Sequence, residues 1–230
     1  MTFAIQANRG TVDKFIGDAI MAMWNAPSDD DHHVDNACRG ALSALAVSED
    51  LNEELEKRGA QIMRTRFGLH TGDALIGNMG ARDRMQYTCL GPNVNVSARL
   101  KGLNKYYVTS ILVSEAIRKK ASSEFMFRRV DIVEAKGTSI PVTLYELIGE
   151  RGEFVAFGLS KEEIKHASNY EQAFDFYLHQ DFDQAEIALM KLKAEVPDDK
   201  VVQSLLERCQ LHMKTPPPSS WNGVTSFDKK

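Results

Sequence analysis

Several side chains in the 230-residue chain are of types, and at spacings, that chemistry can use. Asp18 follows Gly17 between two β-prone stretches, TVDKFI and AIMAM, which puts it at the tip of a tight hairpin. Such a turn holds a carboxylate still and leaves it in water, which suits a hard divalent cation. Asp is equally an ordinary turn residue, and the turn alone does not separate the two readings. Asn95 and Arg99 lie four residues apart on a stretch that starts at Gly91-Pro92 and reads as a helix to about Tyr106. That spacing gives both side chains one helix face, which is either a site or a solvated surface. Arg84 is a candidate phosphate contact or a solvated loop arginine. The run GLHTGDALIGNMG (68–80) has neither a Walker lysine nor a following helix signal. Its glycines are therefore assigned to turns and close strand packing, not to a phosphate loop.

The elements that must position these residues follow from periodicity. The opening residues read as the last turns of a helix, with Gly10 at its C-cap. After the hairpin, the acidic residues of 28–31 suit a helix N-terminus. Val34, Ala37, Cys38, Ala41 and Leu45 then recur near helical spacing, and the pattern runs to Gly59. The adjacent His32 and His33 do not share a helix face and read as a polar helix entry, not a metal site. Residues 64–70 and 74–79 read as a β pair about Gly72, 86–90 and 110–113 as short strands, and Ser114 as the cap of a short helix to Lys120. Residues 125–134 and 141–148 read as a closing hairpin turned at Lys136-Gly137-Thr138. Hairpins among alternating strands and helices make the fold α+β, not doubly wound.

Beyond about residue 150 the pattern turns helical. Ser160 with Glu163 forms a capping-box signature, Ala185, Ala188, Leu189 and Leu192 mark a second helix, and Asp198 is the candidate cap of a third. Residues 173–197 resemble one tetratricopeptide unit. A single unit cannot stack into a solenoid, so it is expected to dock on the main domain or on a second chain. The Pro/Ser-rich tail, 216–230, is expected to be extended. The expected organisation is thus 1–150, 151–215 and 216–230.

Composition narrows the partners. A net charge of -4 argues against a nucleic acid but allows a nucleotide, whose phosphates need only a few local cations. No run of 18 apolar residues exists, so no membrane contact is expected from this segment. The three cysteines are far apart with no CxxC pair, which argues against zinc or a disulfide framework and makes a reducing cytoplasm the default.

Four blocks in order, DKFIGDAIMAMW (13–24), GLHTGDALIGNMG (68–80), YTCLGPNVNVSARL (87–100) and KGTSIPVTLYEL (136–147), resemble the class III nucleotidyl cyclase catalytic domain of the bacterial adenylate cyclase type. The resemblance runs from Thr11 to about Ile148. It implies a ferredoxin-like sheet paired head to tail, as a homodimer or with another cyclase domain, with composite sites at the interface. It implies that the ribose 3'-hydroxyl of ATP attacks the α-phosphate in line, giving 3',5'-cyclic AMP and pyrophosphate. Two divalent ions, magnesium or manganese, are implied, with Asp18 as a ligand. Lys14 matches the lysine that reads a purine ring nitrogen, and Thr88 its partner at the adenine amino group. Asn95 is implied to orient the ribose, Arg99 to stabilise charge growing on the phosphate, and Lys136 to bind phosphate. Lys with Thr is similar to the ATP-selective type, whereas guanylate cyclases tend to carry Glu and Cys there.

The resemblance breaks at its start. The family uses a second metal aspartate on a strand roughly 40 residues before the hairpin tip. Only 17 residues precede Asp18, and residues 1–12 contain no acid. The expectation is therefore a ferredoxin-like cyclase fold lacking its first strand, followed by a small all-α extension. The chain is then expected to be the back part of a longer enzyme, weak or inactive alone, from a parent anchored in a membrane with this domain on the cytoplasmic side. The alternative is a catalytically deficient nucleotide-binding or dimerisation module. A third reading, a helical-repeat adaptor over 160–213, has only one repeat to rest on.

Overall fold

The computed structural model describes residues 1–134, 141–152, 156–218 and 220–226. Helix α1 (Thr2–Ala7) leads into the hairpin β1 (Thr11–Ile16) and β2 (Ala19–Met23), then α2 (His33–Lys57). Strand β3 (Phe67–Leu69) precedes a second hairpin, β4 (Leu75–Ala81) and β5 (Arg84–Leu90), which runs into α3 (Pro92–Tyr107). Next come β6 (Ile111–Ser114), α4 (Glu115–Lys120), β7 (Phe125–Glu134) and β8 (Pro141–Arg151). The chain ends with β9 (Gly158–Leu159), α5 (Lys161–Leu178), α6 (Phe182–Glu195), α7 (Lys200–Lys214) and β10 (Val224–Ser226).

The main sheet runs β10-β7-β8-β6-β3, with β9 beside β8, and the two hairpins form ladders of their own. Parallel β3–β6 and β10–β7 pairs combine with antiparallel β6–β8 and β7–β8 pairs, so the fold is the expected α+β mixture. One expected pairing is wrong. Residues 64–70 do not pair with 74–79; β3 joins β6, and β4 pairs with β5 from Leu75↔Leu90 to Ala81↔Arg84. The turn signal at Gly72 favoured a local hairpin, but Leu69 is buried in the sheet core while β4 is largely exposed. Burial separated what adjacency had joined.

Strand β6 reads ILVS and is buried along its whole length, as a strand covered on both faces must be. Ile111 and Val113 face α2 and α4, in a core with Val34, Cys38, Leu42, Ile117 and Leu147. Leu112 points the other way, into a core with Leu100 and Tyr107 of α3, Tyr170 and Phe174 of α5, and Leu205 of α7. The helical segment thus docks on the main sheet. Arginines of β7 and α7 fasten it: Arg128 bonds Asp199, Arg129 bonds Glu171 and Asp175 at 2.6 Å each, and Arg208 bonds Asp131 at 2.7 Å.

The capping box forms, with the Glu163 amide donating to Ser160 Oγ at 3.2 Å. The third helix is capped by Asp199 rather than Asp198, its carboxylate accepting from the amides of Val201 and Val202. The segment 151–215 is not wholly helical, because β9 pairs in parallel with β8; in the tail, β10 pairs in parallel with β7. Helix α1 ends earlier than expected: Asn8 is its C-cap, Arg9 takes the left-handed conformation, and the Gly10 amide bonds Ile5 O at 2.9 Å. His33 Nδ1 lies 2.9 Å from the Asp30 carbonyl at the entry to α2. The turn expected at 136–138 falls outside the described residues. Among the described residues, no helix is long and apolar enough to cross a membrane.

Candidate active site

Ile16 pairs with Ala19, so Gly17 and Asp18 alone form the hairpin loop. Gly17 has φ +62, a left-handed conformation that two-residue hairpin turns demand and that glycine adopts without strain. Asp18 is exposed, and its carboxylate makes no hydrogen bond or ion pair among the described residues. It is a hard oxygen donor held on a short turn. No group of three or more His, Cys, Asp or Glu able to hold a metal exists among the described residues.

Lys14 and Thr88, 74 residues apart in sequence, are drawn to one point by a third residue. The register of β1 slips between Val12 and Lys14, which leaves Asp13 as the extra residue of a bulge. Bulges re-aim side chains, and here one carboxylate reaches both partners. Thr88 Oγ1 donates to Asp13 Oδ2 at 2.6 Å, and Lys14 Nζ lies 3.6 Å from Asp13 Oδ1. The Asp13 side chain is fully buried and Thr88 is buried, whereas Lys14 keeps 30% of its side chain exposed. Beside them, burial and then the charge of Asp13 push the Cys89 thiol above its ordinary pKa. Sequence reasoning missed Asp13; its one signal was an acid next to Lys14 in a strand.

Asn95 and Arg99 are both exposed on α3. The stripe that buries α3 is Val94, Val96, Leu100 and Leu103, and Ala98 is exposed. The helix is tightly placed. A Cβ on Gly68 of β3 would lie 2.2 Å from the Ser97 carbonyl oxygen, so only glycine allows this approach. Fully buried Asn104 donates to Phe67 O at 2.7 Å and accepts from Thr109. At the other end, His70 joins Ser114 Oγ at 2.8 Å to Asn93 Oδ1 at 3.0 Å. Because the Asn93 amide nitrogen donates to Asp73 O, its oxygen faces His70, which makes Nε2 the donor and Nδ1 the acceptor from Ser114. Ser114 thus spends its hydroxyl on His70 and makes no side-chain cap on α4.

A cavity of about 390 Å³ lies among β2, β3, α2 and α3, lined by residues 21–25 and 68–74 with His33, Asn93 and Ser97. Arg84 stands exposed at the first position of β5. The fold therefore joins Lys14 to Thr88 through Asp13, while no hydrogen bond or ion pair among the described residues links Asp18, Arg84 and the Asn95–Arg99 face. Lys136 lies outside the described residues.

A family model described as the adenylate and guanylate cyclase catalytic domain matches residues 5–149. Adenylate cyclase 1 of Rhizobium meliloti (strain 1021) is 43% identical over 145 residues, covering 63% of this chain and 22% of that protein. The chain spans less than a third of the length of the curated relatives it matches. Among solved structures, the adenylyl cyclase CyaB from P. aeruginosa superposes with a TM-score of 0.57 at 27% identity, covering 67% of this chain and 79% of that one. The guanylyl cyclase Cya2 does so with the same TM-score and identity, covering 68% and 78%. The backbone is thus shared by both base specificities. By the extent of the family match and the identity to its relatives, the chain belongs to the adenylate and guanylate cyclase catalytic domain family.

Proposed function

We propose that this chain supplies the catalytic domain of an adenylate cyclase that converts ATP to 3',5'-cyclic AMP and pyrophosphate at a site shared between two cyclase domains. The observation that carries the reading is the Lys14–Asp13–Thr88 cluster, a cation and a hydroxyl held side by side as an adenine edge requires. In this reading Lys14 donates to a ring nitrogen and Thr88 accepts from the adenine amino group. Asn95 orients the ribose, and Arg99 faces the charge that grows on the phosphate, where a fixed guanidinium contributes most. Lys136 and Arg84 bind phosphate oxygens. Two magnesium or manganese ions, when bound, activate the 3'-hydroxyl and neutralise the triphosphate. Asp18 is this chain's ligand to them.

A single carboxylate holds two ions poorly, and the sheet supports the same reading. Among the described residues β2 pairs only with β1, and β3 only with β6, so both present an open edge to the 390 Å³ cavity between them. A further strand carrying the second aspartate would fill that groove and satisfy both edges. Exposed Leu75, Ile76, Met85 and Leu90 on the β4–β5 hairpin support a homodimer or a pairing with another cyclase domain. Residues 151–215 serve as a tetratricopeptide-like extension braced against the catalytic sheet. Cys38, Cys89 and Cys209 are buried and free, which supports a cytoplasmic location.

The test is cyclic AMP formation with manganese, by the chain alone and mixed with a full-length relative altered to alanine at the position of Arg99. Near-background turnover alone and clear turnover in the mixture are expected. A mixture that stays at background favours the second reading, a nucleotide-binding or dimerisation module without catalysis.

A further inference from the structure

We infer that Asp13 sets which purine this site accepts, by locking the Thr88 hydroxyl as a hydrogen-bond acceptor; the inference rests on the reading that Lys14 and Thr88 meet the base. In a regular strand Asp13 and Lys14 would point to opposite faces. The bulge at Asp13 removes that alternation, so both side chains serve the same site. This bond, with the packing of Met23 against Cys89, ties the β1–β2 hairpin to the β4–β5 hairpin.

A hydroxyl carries one proton and two lone pairs. Thr88 gives its proton to Asp13 Oδ2 at 2.6 Å, so only its lone pairs remain for a ligand. Adenine presents an amino donor at the edge where guanine presents a carbonyl oxygen. A proton-less Thr88 oxygen pairs with the first and opposes the second. The other oxygen of Asp13 has no hydrogen-bond partner and lies 3.6 Å from Lys14 Nζ, which keeps the lysine on the same side. Room for a base edge exists next to the hydroxyl: Thr88 pairs with Gly77, and a Cβ at Gly77 would meet nothing within 4 Å. None of the Asp13 side chain is exposed, so it is a positioning residue that acts through Thr88.

The test measures ATP and GTP in competition with a fluorescent methylanthraniloyl nucleotide, using the full chain. Wild type should prefer ATP. Asp13→Ala and Asp13→Leu remove the acceptor and release the Thr88 proton, and the ATP-to-GTP preference should fall about tenfold, mainly through tighter GTP binding. Adding Asp13→Ala to Thr88→Val should change the preference no further, because the hydroxyl is already gone. A folded Asp13 variant that keeps the wild-type preference, or weakens both nucleotides equally, overturns the role of Asp13 and leaves the nucleotide reading standing. Wild type that binds neither nucleotide overturns both. Should both Asp13 variants fail to fold, Thr88→Ser must keep the preference and Thr88→Val must lose it; either departure overturns the inference.

Discussion

Replacing Arg208 by methionine tests whether the helical segment is an integral part of the catalytic fold. Arg208 Nη1 lies 2.7 Å from Asp131 Oδ1, and only 2% of the Asp131 side chain is exposed. Removing one partner of a buried pair costs about 3–5 kcal/mol, because the other charge is left buried. Asp131 would keep the Tyr107 hydroxyl at 2.7 Å, the Thr225 hydroxyl at 3.1 Å and the Ile132 amide at 2.9 Å. Those three donors place the expected loss at the low end, about 3 kcal/mol. Methionine also retains a sulfur contact with the Tyr177 ring, over which the guanidinium now sits at 5.3 Å. For a chain of this size each kcal/mol moves the melting midpoint by about 2–4 °C, so Arg208→Met should lower it by about 6–12 °C. Circular dichroism melts of Arg208→Met, Asp131→Asn and the double variant complete the cycle. The double variant buries no unpaired charge, and its deficit should shrink to about 1 kcal/mol. A double variant as unstable as the two singles added together would refute the argument, because the pair would then contribute nothing as a pair.

Three other outcomes follow from the geometry. Gly68→Ala puts a methyl group 2.2 Å from the Ser97 carbonyl oxygen and 2.4 Å from the Lys101 amide nitrogen, both main-chain atoms, so α3 must move. The melt should fall by about 6 °C or more, at the upper end of overpacking costs, and an unchanged midpoint would contradict the close approach. Burial raises the pKa of Asp199, but Arg128 and the amide of Val202 outweigh it and hold the carboxyl below its ordinary value of 3.8. A folded-state pKa below the unfolded one gives stability that is present above about pH 4 and lost as the pH falls through the folded value. The midpoint should therefore fall on acidification below about pH 4, and Asp199→Asn should fall less steeply. Asp18→Asn, at an exposed and unbonded position, should leave the melt within about 1 °C, and cyclic AMP formation in the mixed assay should persist, because there the relative supplies the metal aspartates and this chain the arginine.

Local signals carried much of the architecture. Gly17 and Asp18 between two β-prone runs marked the first hairpin, Pro92 the start of α3, and Ser160 with Glu163 the start of α5, each because a turn or cap is decided by a few neighbouring residues. Partner choice between strands was less legible. The pairing of β3 with β6, and the parallel addition of β10 to β7, join segments far apart in the chain, and no local pattern encodes such a pairing. The same holds for the cap of α7, where Asp199 rather than Asp198 is used because Arg128 of the sheet also holds that carboxylate.

At the candidate site the division is sharper. The identity and order of the motif residues were open to reading in one dimension, since Lys14, Asp18, Thr88, Asn95 and Arg99 fall in blocks whose spacing is a property of the chain itself. That Lys14 and Thr88 share a carboxylate was not, because it depends on a bulge that turns Asp13 inward and on a second hairpin arriving from 75 residues away. Spacing along a strand or helix follows from covalent geometry, whereas which way a hydroxyl points is decided by whatever acceptor the folded chain brings within 3 Å of it.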